Sequence, residues 1–258
     1  MMKDWNPEQY SKFMEERTLP AIDLASRLNV RNPQKILDLG CGTGNSTQIL
    51  KDKFPFARII GADNSHTMLE EARKLHPDME FILFDGSSDY SVLGNDYDIV
   101  FSNACIQWIP DHKTLIPKLM GLLKTGGMLA AQAPMQSEHP VQQLIQKLAF
   151  SDKWSRLIKN PRTINTLTQG RYFDILASLT NDFSIWKTVY GHRMPDHQSI
   201  IEWYKGTGLR PYLAQLSDED AVKFEAELLE KVRHAYPVHA NGEVLFKFPR
   251  IFFTAVKQ

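Results

Sequence analysis

Lys35-Ile-Leu-Asp-Leu-Gly-Cys-Gly-Thr-Gly44 is the stretch on which the fold turns. A short apolar run, Lys35 to Leu39, leads straight into Gly40, Gly42 and Gly44, which predicts a buried strand feeding a tight turn. Glycine lets the backbone bend sharply and approach a ligand closely. Ser46 to Lys53 follows with a helical pattern, so the unit is strand, glycine loop, helix.

Outward from it the alternation repeats. Arg58–Ala62 predicts a second strand, Thr67–Leu75 a helix, Met79–Phe84 a third strand and Asp98–Ser102 a fourth. A helix is expected from Leu115 to Leu123, stopping at Gly126-Gly127, and a fifth strand over Met128–Ala133. Strands alternating with helices at this spacing imply βαβ units and a parallel sheet. Upstream, residues 7 to 29 carry two helical patterns broken near Pro20. After Pro134 the pattern changes: helices over Val141–Phe150 and Tyr172–Leu179, a strand over Phe183–His192, helices over His197–Tyr204 and Asp218–Tyr236, and a last strand over 250–256. The expected fold is α/β: a Rossmann-like, seven-stranded, mostly parallel sheet with helices on both faces and a helical cap insertion. As domains this gives an N-terminal helical lid (1–33), a core (34–136), a helical insertion (137–182), the last two core strands (183–194 and 246–258) and a cap over the substrate pocket (195–245). Ligands on such sheets bind at the carboxyl ends of the strands.

Composition narrows the class. The 258 residues suit one large α/β domain, or one domain with an insertion, and 43% hydrophobic with 23% charged residues is ordinary for a globular protein. Thirty basic and thirty acidic residues leave no net charge, so nothing marks a nucleic acid or an anionic membrane as partner. Cys41 and Cys105 make neither a disulfide framework nor a metal-ligand spacing, and no metal is expected. The opening Met-Met-Lys-Asp-Trp-Asn-Pro lacks the apolar run of a signal peptide. A cytoplasmic protein, monomeric or weakly dimeric, is the expectation.

The glycine loop has two candidate ligands. A dinucleotide fingerprint wants glycines at the first, third and sixth positions, but after Gly40 and Gly42 the sixth is Asn45. Asp38, two residues before the first glycine, offers nothing to a pyrophosphate. It does complement the ammonium and sulfonium of S-adenosylmethionine, which carries no phosphate. Asp63 ends the second strand about 20 residues on, where an acid accepts both ribose hydroxyls; a helix cap from Asn64 or Ser65 is the plainer reading of that turn. Asp85-Gly86 ends the third strand, either receiving the adenine amino group or closing a turn. Asn103 ends the fourth, where the methionine part should run, and Met68 is placed to pack on adenine or in the core. With Cys41 in the loop itself, the expected cofactor residues are Asp38, Gly40, Cys41, Gly42, Asp63, Asn64, Met68, Asp85, Gly86 and Asn103.

In order and over roughly 34–134, these residues resemble class I S-adenosylmethionine-dependent methyltransferases. The flanks resemble a narrower family, the trans-aconitate methyltransferases. The matching stretches are Asp4-Trp-Asn-Pro-Glu-Gln-Tyr10 with Glu16-Arg17, Ser102-Asn-Ala-Cys-Ile-Gln-Trp-Ile-Pro-Asp-His112, Tyr172-Phe-Asp-Ile-Leu176, Met194-Pro-Asp-His-Gln198 with Trp203, Thr207-Gly-Leu-Arg-Pro211 and Phe248-Pro-Arg-Ile-Phe252. One stretch departs: where the family has Met-Pro followed by Asp-Asn, this chain has Ala133-Pro134-Met135-Gln136-Ser137. The resemblance implies transfer of a methyl group to one carboxylate of a small polycarboxylic acid such as trans-aconitate, leaving S-adenosylhomocysteine. A malonyl-thioester carboxyl methyltransferase, a non-catalytic binder of the cofactor and a nicotinamide dehydrogenase are the rival readings.

A carboxylate is ionised at neutral pH, so no general base is expected. A polyanionic acceptor asks instead for cationic clamps, and arginine holds a carboxylate with two bonds. The candidates are His192, Arg193, His197, Arg210 and Arg250, with Tyr10, Arg17, Gln107, Trp108, Tyr172 and Trp203 lining the pocket. Thr207–Pro211 reads as a rigid turn presenting Arg210. His192 and Arg193, adjacent in a strand, should point to opposite sides.

Overall fold

A computed structural model describes residues 14–161 and 163–258, with side chains from Thr18 onward. Seven strands form one sheet: β1 (Lys35–Leu39), β2 (Arg58–Asp63), β3 (Glu80–Leu83), β4 (Tyr97–Asn103), β5 (Leu123–Pro134), β6 (Phe183–Met194) and β7 (Val244–Val256), in the order β3-β2-β1-β4-β5-β7-β6. β1 to β5 pair in parallel and β7 runs antiparallel to β5. The helices are α1 (Met14–Ser26), α2 (Asn45–Lys53), α3 (His66–Leu75), α4 (His112–Gly121), α5 (Pro140–Ala149), α6 (Gln169–Ala177), α7 (His197–Lys205), α8 (Arg210–Leu213) and α9 (Asp218–Ala235). The last three lie between β6 and β7 in the chain. Ile36, Leu37, Ile99 and Val100 are completely buried, as neighbouring residues of a strand can be only when both faces of the sheet are covered. No helix among the described residues is long and apolar enough to cross a membrane.

The chain divides into two compact units. The sheet unit takes Met14–Pro134, Asn165–Thr188 and Arg250–Gln258; the helical unit takes Met135–Ile164 and Val189–Pro249 among the described residues. In the sheet unit, Asp98 pins the first residues of the central strands. Its Oδ2 accepts the backbone N–H groups of Gln34 and Lys35 at 2.9 Å each, and Lys124 pairs with Oδ1. Burial pushes this carboxyl up, but Lys124 and the two N–H groups outweigh burial and hold it below the usual range. The helical unit centres on an aromatic cluster in which Trp203, 2% exposed, packs on His192, Phe246 and Phe248 with centroids 4.9–5.8 Å away.

Four expectations about the elements are corrected. α1 runs through Pro20 without a break, because Ala21, Leu24 and Ala25 beyond it are buried and hold the turn that lacks one hydrogen bond. α4 starts at His112 and stops at Gly121, well short of Gly126-Gly127. Leu123 is captured by Tyr97 as the first rung of β5, and the residues up to Met128 form an irregularity in which Gly126 takes φ +77° and a Cβ on Gly127 would stand 2.8 Å from the Tyr97 carbonyl. β7 begins at Val244, not 250: the Pro249 carbonyl accepts from Met135 N–H, and the Met135 carbonyl, to which a proline cannot return the bond, accepts from Glu138 N–H instead. Thr207–Pro211 is not a free turn. Arg210 opens the short helix α8 and is half-buried.

Candidate active site

The glycine loop continues β1. Gly40 and Cys41 N–H both reach the Ala62 carbonyl, at 2.7 and 3.2 Å, and Gly40, Gly42 and Gly44 take φ of +79°, +56° and +91°. Those values favour glycine, and at Gly40 space does too: an added Cβ would lie 2.2 Å from the Cβ of Cys105. At Gly42 none of the described residues stands within 4 Å of that position.

Asp38, fully buried at the end of β1, faces that loop. Its Oδ2 accepts the hydroxyls of Ser46 and Thr47 at 2.7 Å each, from the first turn of α2, while Oδ1 is buried with no partner. Burial pushes the carboxyl up to about 6; the two hydroxyls pull it back only in part, and Asp63 adds repulsion. A buried carboxylate oxygen with nothing bonded to it is costly unless a ligand supplies a donor. An ammonium group meets that need in charge and geometry. Burial likewise pushes the Cys41 thiol up, leaving it neutral and unreactive.

Asp63 does more than wait for a sugar. Its Oδ2 accepts Gly42 N–H and its Oδ1 accepts Ser65 N–H, both at 2.9 Å, so one carboxylate ties the glycine loop to the start of α3. Ser65, not Asn64, caps α3, accepting from Met68 N–H; Asn64 is exposed and Met68 is buried. Asp85 Oδ1 closes a local turn with Ser87, through N–H at 2.9 Å and Oγ at 2.8 Å. Gly86 is required by crowding, since a Cβ there would lie 2.4 Å from Cδ1 of Ile109. Asn103 ends β4 with Oδ1 buried and unpartnered.

The segment after β4 thus touches two turns at once: Cys105 lies against Gly40 and Ile109 against Gly86. Gln107 and His112 are held by hydrogen bonds, although Gln107 Oε1 is buried with no partner. Gln107 Nε2 donates to the Ala104 carbonyl at 2.6 Å, and Asn165 donates to the Gln107 carbonyl. His112 Nε2 lies 2.8 Å from the Ile106 carbonyl and Nδ1 2.6 Å from the Tyr172 hydroxyl, which fixes Nε2 as the protonated nitrogen and Tyr172 as donor. Trp108 is half-buried on the same segment.

Of the residues expected around an acceptor, the sheet unit brings Gln107, Trp108 and Arg250 to the carboxyl ends of β4 and β5, where Asn103, expected at the cofactor, also stands. Arg250 is 5% exposed and its Nη1 donates to Gln132 Oε1 at 3.2 Å. Tyr172 is corrected from pocket wall to core: it is fully buried, packed on Phe253, with its hydroxyl committed to His112. In the helical unit, His192 is buried beside Trp203 and Arg193 is exposed, so the opposite-sides expectation holds. Arg193 already spends its fork on Glu243, at 2.8 and 2.7 Å, which corrects it as a clamp. His197 Nε2 is 2.8 Å from the Tyr236 carbonyl, and Trp203 belongs to the aromatic core. Tyr10 and the side chain of Arg17 lie outside the described residues. Ser46, Thr47 and Gln132 were missed from sequence. The first two look like an ordinary helix start, but Gln132 left a signal, a lone amide within the apolar run Met128–Ala133. A cleft of about 820 Å³ lined by Arg27, Asp98, Lys124 and Trp186 lies at the amino-terminal end of the parallel strands, the opposite end from the glycine loop.

Residues 36–127 match a family model described as a methyltransferase domain. The chain is 39% identical over 259 residues to the trans-aconitate 2-methyltransferase of Variovorax paradoxus, covering 100% of both chains. It is 41% identical over 258 residues to the trans-aconitate 2-methyltransferase of Rhodopseudomonas palustris, covering 99% of this chain and 100% of that one. In fold it is similar to phosphoethanolamine N-methyltransferase 2 of Haemonchus contortus, solved with phosphomonomethylethanolamine and S-adenosylhomocysteine, with a TM-score of 0.56 at 19% identity over 93% of this chain and 52% of that one.

Proposed function

We propose an activity from one premise: the chain belongs to the trans-aconitate 2-methyltransferase family. It transfers the methyl group of S-adenosylmethionine to one carboxylate of a small polycarboxylic acid, trans-aconitate first among them, giving a monomethyl ester and S-adenosylhomocysteine. The observation that carries this is the buried, unpartnered Oδ1 of Asp38 beside a glycine loop that no described residue crowds at Gly42. It suits a ligand bearing an ammonium and argues against a pyrophosphate.

The cofactor supplies an electrophilic methyl group on a sulfonium. The chain's own residues bind and orient. Asp38 Oδ1 would take the ammonium, Asp63 the ribose hydroxyls and Asp85 the adenine amino group, with Asn103 along the methionine part. In the sheet unit Arg250 is the cation assigned to an acceptor carboxylate, with Gln107 and Trp108 as further candidates; in the helical unit the candidates are Arg210, His192 and His197. The acceptor oxygen is anionic at neutral pH and needs no base, so no proton moves. What the site contributes is in-line placement, worth about 7–11 kcal/mol where the fit is good. Cys41 and Cys105 are free thiols, which fits action in the reducing cytoplasm.

The test is methyl transfer over di- and tricarboxylic acids and a malonyl thioester. Saturable turnover of trans-aconitate is expected. Tight S-adenosylhomocysteine binding with no turnover of any acid would leave a binding protein, and preference for the thioester would give the function to the rival acceptor.

A further inference from the structure

The strand register sorts charge across the carboxyl edge of the sheet. Asp38 is paired with Gly61 and Phe101, Asn103 with Gln132, Gln132 with Phe252 and Pro134 with Arg250. Paired residues, and residues two apart on one strand, share a face of the sheet. Asp63, Asp38, Asn103, Gln132 and Arg250 therefore line one face in strand order β2-β1-β4-β5-β7, from carboxylates through amides to a guanidinium.

Gln132 is the unexplained member. It is 0% exposed, and its Nε2 is buried with no hydrogen-bond partner. Its orientation is fixed, because the Arg250 guanidinium can only donate and so must face the amide oxygen, at 3.2 Å. Both N–H groups then point away from the cation. A buried amide donor left empty costs stability that an apolar residue would not, and β5 is otherwise apolar from Met128 to Ala133 apart from this residue.

We propose that Gln132 is an acceptor-binding residue: its Nε2 donates to a carboxylate oxygen of the acid to be methylated, and Arg250 holds the amide in that orientation. The inference rests on the methyl-transfer reading for the identity of the acid. A carboxylate is the matching partner because it accepts only, carries the charge that the nearby guanidinium favours, and is repelled by the Asp38 and Asp63 end of the row. The methionine carboxylate of the cofactor shares that chemistry and is the alternative source.

Gln132→Met keeps the volume and removes the donor; Gln132→Glu keeps the shape and the Arg250 contact but turns the donor into an acceptor. Trans-aconitate binding to the S-adenosylhomocysteine complex is measured by calorimetry beside steady-state kinetics, with a thermal melt as folding control. The Met variant should weaken acceptor binding and raise its KM about 10- to 100-fold, the range for a hydrogen bond to a charged group, with the Glu variant worse and kcat little changed. S-adenosylhomocysteine affinity should stay within about threefold, well under the loss of one such bond. Unchanged acceptor affinity in a folded Glu variant overturns the proposal, and so does a matching loss of cofactor affinity, which assigns the amide to the methionine carboxylate. A parent that binds the acid without methylating it removes the catalytic reading and leaves this comparison intact. A parent that binds no acid overturns both.

Discussion

β1 and β4 bury Ile36, Leu37, Ile99 and Val100 in unbroken aliphatic runs, and the polar groups that matter stand where those runs stop. The helical unit is built differently, round Trp154, Trp203, Tyr204, Tyr212, Phe224, Phe246 and Phe248, with His139 and His192 embedded among the rings. In the first unit the candidate site is shaped by backbone: positive-φ glycines and a carboxylate bonded to N–H groups. The second is held together by side chains in an aromatic core, where any one ring touches several others. The difference teaches that the cofactor end should resist side-chain changes elsewhere, while the helical unit should be sensitive to single truncations.

Trp203→Ala is the strongest way to break that contrast. Removing a fully packed indole from contact with His192, Phe246 and Phe248 should cost about 3–5 kcal/mol in urea denaturation. At temperatures where the variant stays folded, S-adenosylhomocysteine affinity should match the parent. A parallel fall in both would show that the two units do not divide the work.

Asp63→Ala attacks the other side. It removes the acceptor of Gly42 N–H and Ser65 N–H as well as any bond to ribose, so cofactor affinity should fall by about 1.5–3 kcal/mol. Calorimetry showing unchanged affinity would take Asp63 out of the cofactor site and leave it as a brace between loop and helix.

How much of this was readable beforehand follows the same division. The strand–glycine–helix unit is local, so Lys35–Gly44 disclosed β1, the loop and Asp38 together. Ser46 and Thr47 were invisible as Asp38 partners because hydroxyls at a helix start look like caps. The end of α4 was misread because its cause, the pairing of Leu123 with Tyr97, is nonlocal. Pro20 reads as a break, yet burial of the residues beyond it holds α1 together. The helical unit hid most. His197 bonds a carbonyl 39 residues on and Arg193 a glutamate 50 residues on, and no short motif records either partner.

pH sharpens the comparison through a smaller effect. In the cofactor-free protein Asp38 titrates near 6, against 3.8 ordinarily, because burial disfavours the charge. Between those values the folded protein keeps a proton that the unfolded chain has released, so this group's contribution to stability falls as pH rises through the window. Cofactor binding has the opposite sign, since only the ionised carboxylate complements an ammonium. S-adenosylhomocysteine affinity should drop about tenfold from pH 7 to pH 5, with a proton released on binding at the acid end. A flat profile across that range would detach Asp38 from the ligand's amino group.

The smallest effect is expected at Arg193, and it tests whether position in the helical unit alone makes a residue functional. Arg193 shares Thr188–Met194 sequence context with His192 and is a cation of the kind a polyanionic acid requires. Its side chain, however, is 77% exposed and its fork is bonded to Glu243, at 2.8 and 2.7 Å, while Asn241 donates to Oε2 of the same carboxylate. Exposed pairs of this kind contribute little, because solvent and salt screen the attraction and two long side chains must be ordered to make it. Arg193→Ala should therefore leave the KM for trans-aconitate, kcat and cofactor affinity within about twofold of the parent, as for other solvent-screened pairs. Glu243→Gln should be equally silent. If Arg193→Ala instead raised the acceptor KM severalfold while Glu243→Gln lowered it, the pair would be a latch that acid binding opens, and Arg193 would return to the list of clamps from which its geometry removes it.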